Sequence, residues 1–243
     1  MATRALFLER IRREVEKGGE FFPAVTASRP AHPSDAAELV KRQMAERWPE
    51  ALDRFKVEFE RVAGVFHRVA GWGDVPDVIV EIAREKAARS VVAWDESALG
   101  LDLRPRLEAE GLSVAVGGTG AGDENARRRH REDSARALIG VTGADFVLAE
   151  TGTLILLSGR GRPRTTSLLP DTHIAVFDRT RLVESLAQVG ILLEALHEDP
   201  TRAMSGAMIN LITGPSRTAD IELTLTRGVH GPKDVHAIFV GMP

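Results

Sequence analysis

From Val62 to Val240 short apolar runs alternate with amphipathic helical stretches, and this rhythm constrains the fold more than any other feature. Val62–Val69 reads as a strand, and Val75–Ala88 as a helix with Val78, Ile79, Ile82 and Ala83 on one side. Arg89–Trp94 is a buried strand, Leu103–Glu110 a helix closed by Gly111, Leu112–Val116 a strand and Glu124–Ile139 a polar helix. Phe146–Ala149, Leu154–Leu157, His173–Phe177, Met208–Thr213 and Val235–Val240 complete the strands. Arg179–Leu196 and a turn or two at Thr218–Thr226 complete the helices. Repeated strand–helix–strand units call for right-handed crossovers. The expected fold class is therefore α/β, a mostly parallel sheet flanked by helices.

An N-terminal helical arm is expected over residues 1–60, ahead of an α/β domain at 61–243. Met1–Lys17 reads as an amphipathic helix stopped by Gly18-Gly19, and Phe21–Pro33, with three prolines, as an extended linker. Ser34-Asp35 starts a helix toward Trp48 that Pro49 interrupts or restarts, and Glu50–Arg61 carries Leu52, Phe55 and Phe59 at spacings of three and four.

With no cysteine, the chain is without disulfides, thiol nucleophiles, cysteine-ligated zinc and protein-held iron–sulfur clusters. If redox chemistry takes place, the metal or cluster belongs to a partner. A formal net charge of −3 gives no overall attraction to nucleic acid or anionic lipid. No apolar run approaches the roughly 20 residues that cross a bilayer, so no membrane span is expected and cytoplasm is the default location.

Ligands of parallel α/β sheets collect at the carboxyl ends of the strands. That rule directs attention to Gly117–Asp123, Glu150–Thr153, Gly159–Arg164 and Gly214–Thr218. Gly117–Gly122 lacks the spacing of a dinucleotide or P-loop cradle and reads as a flexible loop. Glu150-Thr151-Gly152-Thr153 places a carboxylate between two runs that favour burial; it is either a hairpin turn that carries Glu150 to water or a site. Gly214-Pro215-Ser216-Arg217-Thr218 is read at a strand-to-helix junction. Its N–H groups, the Ser216 and Thr218 hydroxyls and the Arg217 fork suit a carboxylate or phosphate, and a plain helix cap is the alternative. Arg160, Arg162 and Arg164 in the glycine-broken loop could steer an acidic substrate, and His173 and His230 are the candidate acid–base groups.

Four blocks then carry a resemblance. Gly140–Thr153, Leu169–Val176, Gly214–Glu222 and Gly228–Pro232 occur in the order and form of the LUD-domain family, most closely its lactate-utilization C members. The resemblance implies a fold similar to the superfamily of phosphosugar isomerases and CoA transferases. It also implies a role in bacterial oxidation of L-lactate to pyruvate beside iron–sulfur partner subunits, with no cofactor assigned to the chain itself. On that reading Thr151, Gly152, Thr153, Gly214, Ser216, Arg217 and Thr218 hold a small carboxylate or phosphorylated ligand, while Glu150 and His230 line the same cleft. The alternative is a stand-alone acyl- or CoA-transferase in which Glu150 attacks a thioester and the Gly152 region supports the oxyanion. A third reading makes these motifs an assembly surface without a ligand.

Overall fold

The computed structural model describes residues 8, 9, 13, 30–117, 124–198, 208–219 and 225–241. The chain divides into two compact units, Met1–His32 and Pro33–Pro243. In the first, Leu8, Glu9 and Arg13 are helical, and Arg13 pairs with Glu9 at 3.4 Å. The rest of the expected Met1–Lys17 helix and most of the expected linker lie outside the described residues.

The second unit opens with helix α1, Pro33–Arg61, which was expected to belong to an N-terminal arm. Pro49 lies inside this helix instead of breaking it. A proline removes one ladder hydrogen bond, at a cost of about 3 kcal/mol. The turns on either side offset that cost by burying Met44, Ala51, Leu52, Phe55 and Phe59 along one stripe.

Six strands form a parallel sheet: β1 (Val65–Val69), β2 (Ser90–Ala93), β3 (Ser113–Val116), β4 (Ile139–Gly143), β7 (Thr172–Asp178) and β12 (Asp234–Val240). Their order is β1-β12-β7-β4-β2-β3. Helices α2 (Val75–Glu85), α3 (Glu96–Leu99), α4 (Arg104–Ala109) and α5 (Glu124–Arg136) connect its first four strands, and the short α6 (Thr165–Leu168) precedes β7. The α/β expectation thus holds.

A second sheet was not foreseen. Strands β5 (Phe146–Leu148), β6 (Thr153–Ser158), β8 (Leu182–Val183) and β9 (Met208–Ile212) pair in the order β8-β5-β6-β9, with β5–β6 and β6–β9 antiparallel. A parallel crossover needs a dozen or more residues, and the four between β5 and β6 permit only a hairpin. One face of the parallel sheet, with Ala175, Phe177, Val235, Ala237 and Phe239, buries itself against α1, the second sheet and helix α7 (Leu186–Glu198). The opposite face, with Val91, Val141, Ile174, Val176 and Ile238, shares its core with α2 and α4.

Two expected helices change form. Thr218–Thr226 is not helical: Arg217–Ala219 (β10) and Leu225–Arg227 (β11) pair antiparallel, with residues 220–224 outside the described set. Alternating Leu and Thr across 223–226 has the period of a strand, and β-branched threonine favours it. Arg179–Leu196 divides into a 3-10 turn at Arg179–Arg181, strand β8 and helix α7. The true start follows Ser185, whose Oγ accepts from Gln188 N–H at 3.4 Å, while Gln188 Oε1 accepts from Glu184 N–H at 2.7 Å. These exchanges resemble a capping box and satisfy donors that the first helical turn leaves without partners.

Candidate functional site

Thr151, Gly152, Thr153, Gly214 and Arg217 gather around the C-terminal end of α1. Thr153 is buried, and its hydroxyl bonds those of Thr151 at 2.7 Å and Thr213 at 2.8 Å. Gly152, at φ +62°, sits so close to α1 that a Cβ there would lie 2.4 Å from Phe59 N. A would-be Cβ on Gly214, at φ +75°, would meet Val62 O at 2.5 Å. Arg217 Nη2 donates to that same Val62 carbonyl at 2.8 Å. Both polar breaks therefore abut the last turns of one helix.

The late blocks are stitched together as well. Ser216 N–H donates to Pro232 O, Gly228 N–H donates to Ser216 O, and His230 N–H donates to Ser216 Oγ at 3.4 Å. His230 is exposed, and Thr218 sits in β10 opposite Thr226. Glu150 turns elsewhere: its Oε1 accepts the Leu186 N–H at 2.7 Å at the start of α7, and its own N–H donates to Glu184 O. The structure thus joins Thr151, Gly152, Thr153, Gly214 and Arg217 at one helix end and Ser216 with His230 beside it. It commits the Glu150 carboxylate to another.

The location also differs from the carboxyl-end expectation. Val62 precedes β1, and the 228–232 segment precedes β12, so these residues mark the amino-terminal edge of the parallel sheet. Lys233 N–H donates to Asp171 O just ahead of β7, on the same edge. The rule failed here because β5, β6 and β9 belong to the second, mixed sheet, in which β6 runs opposite to both β5 and β9 and strand ends face both ways.

At the carboxyl edge the winding reverses between β2 and β4: the chain steps from β2 outward to β3, then returns to β4 and continues through β7 to β12. Such a reversal leaves a crevice. Trp94 and Asp95 leave β2 there, and Asp145 follows β4. Asp145 Oδ1 takes Arg162 Nη1 at 2.6 Å, and Oδ2 accepts Leu157 N–H at 2.7 Å. Arg162 also stands 5.8 Å from the Trp94 ring centre, close enough for a cation–π contact. Trp94 Nε1–H donates to Pro163 O at 3.3 Å, and Asp95 N–H donates to Gly161 O at 2.9 Å. The arginine loop, read from sequence as a steering element, is fastened over the ends of β2 and β4. A cavity of about 240 Å³ lies between Trp94, Val116 and the 99–104 segment.

Trp94, Asp95 and Asp145 were not singled out from sequence. For Trp94 and Asp95 the signal was position alone, directly after a buried strand, whereas Asp145 lay within the Gly140–Thr153 block without a role read for it. Gly118–Asp123, the greater part of the glycine-rich loop, lies outside the described residues.

Imidazoles occupy both faces of the sheet. His67 Nε2 and His236 Nδ1 lie 2.9 Å apart, joining β1 to β12, with their rings stacked. Burial, reinforced by His67, pushes His236 down to about 4. His173, whose Nε2 meets Thr142 Oγ1 at 2.8 Å, is fully buried and is pushed down to about 3 by burial and by the neighbouring His236. Both rings are neutral near pH 7. His173, a candidate acid–base group, is sealed in the core.

The LUD domain profile matches residues 52–240. Among curated relatives, lactate utilization protein C of Halalkalibacterium halodurans is 38% identical over 160 residues, 63% of this chain and 64% of that protein. Lactate utilization protein C of Anoxybacillus flavithermus is 34% identical over 184 residues, 75% of this chain and 77% of that protein. A crystal structure of a DUF162 family protein from Deinococcus radiodurans superposes with a TM-score of 0.53 at 20% identity, covering 80% of this chain and 98% of that one. That likeness concerns the fold.

Proposed function

Because the chain belongs to the LUD domain family, we propose that it is a non-redox subunit of a bacterial L-lactate utilization system, working beside iron–sulfur partner subunits. The observation that carries the reading is the 34% identity to a lactate utilization protein C over 75% of the chain. The absence of cysteine supports the division of labour, since thiolate-held clusters then belong to the partners. Cytoplasm is the proposed setting, and among the described residues no helix is long and apolar enough to cross a membrane.

In this reading Arg217, Ser216 and Thr218, with Thr151, Gly152, Thr153 and Gly214 behind them, receive a small carboxylate or phosphorylated ligand. A guanidinium has five N–H donors, and the Val62 carbonyl that takes one of them holds Arg217 in place. His230 supplies a proton donor or acceptor beside Ser216. Glu150 contributes at its margin, through the threonine turn it begins.

The test is genetic and biochemical. Deleting the gene in its host is expected to abolish growth on L-lactate and leave growth on pyruvate intact, with rescue by the wild-type copy. The tagged protein is expected to co-purify with cluster-bearing subunits. A deletion strain that oxidises L-lactate at the normal rate would end this reading.

A further inference from the structure

We propose that the cavity at the carboxyl ends of β2 and β3 binds a flat nitrogen heterocycle, uncharged or cationic and bearing N–H donors, and that it excludes carboxylates. This ligand is not the one assigned to the amino-terminal edge, and the two sites stand or fall separately.

Size comes first. Sites for drug-sized ligands span roughly 300–1,000 Å³. A cavity of about 240 Å³ is therefore suited to one ring system. Its walls fit a ring face: Trp94, Leu99 and Leu103 are almost fully buried, and Leu101 and Val116 are partly so. Apolar walls with a few placed polar groups are the usual composition of a small-molecule site.

Charge then selects the ligand. The charged residues lining it are three acids, Asp95, Glu96 and Asp102, and one base, Arg104. Its guanidinium is already committed, because Asp102 accepts from Arg104 Nε at 3.0 Å and from Nη2 at 3.3 Å. What remains is acidic. An entering carboxylate would meet like charge without a partner, whereas an amino or amide N–H carried by the ring would find acceptors. Asp95 is the best placed of these: Ser97 N–H and Oγ–H both bond its Oδ1, which fixes the carboxylate and leaves Oδ2 outside that exchange as the acceptor we assign to an incoming donor.

The position agrees with the chemistry. This is the edge where the strand order reverses, and the 159–164 loop fastened to Trp94 and Asp95 makes it rigid. A preformed wall lowers the ordering cost of binding.

The chain has three tryptophans, so replacing Trp48 and Trp72 by phenylalanine leaves Trp94 as the reporter. Adenosine, nicotinamide and L-lactate would be titrated in turn against this full-length variant. Saturable quenching by adenosine or nicotinamide with a dissociation constant of about 1 mM or lower, and none by L-lactate, is the expected result. Which of the two quenches identifies the ring. Leu101→Phe, which fills the cavity, is expected to weaken binding by about tenfold or more, and Asp95→Asn by about fivefold. Asn keeps the Oδ1 acceptor that caps Ser97 while losing the second one, so it decides the question should Leu101→Phe fail to fold. Absence of quenching by both rings, equal quenching by L-lactate, or unchanged affinity in Asp95→Asn would overturn the proposal.

Discussion

The Glu150 carboxylate accepts the Leu186 backbone N–H at 2.7 Å, so the charge that stands out between two apolar runs works as a cap on helix α7. Removing a capping acceptor costs about 0.5–2 kcal/mol. Glu150→Ala is therefore expected to lower the unfolding free energy by about 1 kcal/mol, or roughly 2–4 °C in Tm for a chain of this size. Glu150→Gln keeps an acceptor oxygen and is expected to lose less. Calorimetry on both variants checks this, and an acyl adduct on the Glu150 peptide after incubation with acyl-CoA donors would instead make that carboxylate a nucleophile.

Asp145 and Arg162 hold the arginine loop over the sheet, with side chains 12% and 35% exposed. Breaking a pair that is mostly out of water leaves a charge uncompensated. Asp145→Ala is expected to cost about 1–3 kcal/mol and to speed tryptic cleavage near Arg160 and Arg164. A double-mutant cycle with Arg162→Ala should show coupling well above that of an exposed ion pair, about 0–1 kcal/mol. Additive losses would mean that the loop is held by its backbone contacts alone.

The histidines fix the acid limit of stability. A free imidazole titrates near 6.5, whereas in the folded chain His236 is held at about 4 and His173 at about 3. Unfolding therefore takes up protons below pH 6.5, so stability is complete above that value and declines as pH falls toward 4 and then 3. Urea midpoints measured between pH 7 and 4 should fall over this window, and His236→Phe should flatten the decline. An unchanged slope would show that carboxylates govern acid unfolding.

Glycines separate close packing from simple flexibility. At Gly140 a Cβ would lie 1.8 Å from the Thr166 carbonyl oxygen, so Gly140→Ala must displace backbone and is expected to cost more than about 3 kcal/mol. Within α7 the Gly190 position is open, with nothing within 4 Å of a Cβ. Gly190→Ala is expected to stabilise the chain by about 0.5–1 kcal/mol. Thermal melts of the two variants should move in opposite directions.

Periodicity alone determined the α/β class, because strand and helix periods are local properties and crossovers between parallel strands obey one handedness. The strands at 90–93, 113–116 and 172–178 and the helices at 75–85 and 104–109 were legible for that reason. The start of α7 was missed, because the apolar spacing over Arg179–Leu196 pointed to one longer helix and the Ser185 and Gln188 exchange that starts the true one was not read. Pro49 could be placed only by tertiary burial, since local propensity favours a break and the apolar stripe of α1 outweighs it. Sheet membership was only half legible: the four-residue spacing of β5 and β6 fits the hairpin read as one alternative, whereas the apolar pattern does not specify the long-range pairings of β6 with β9 and of β5 with β8. Long-range pairing put Arg217 at the amino-terminal edge, turned Glu150 into a cap and left Trp94 beside a cavity, because side chains distant in the chain acquire a common surface only when strands pair.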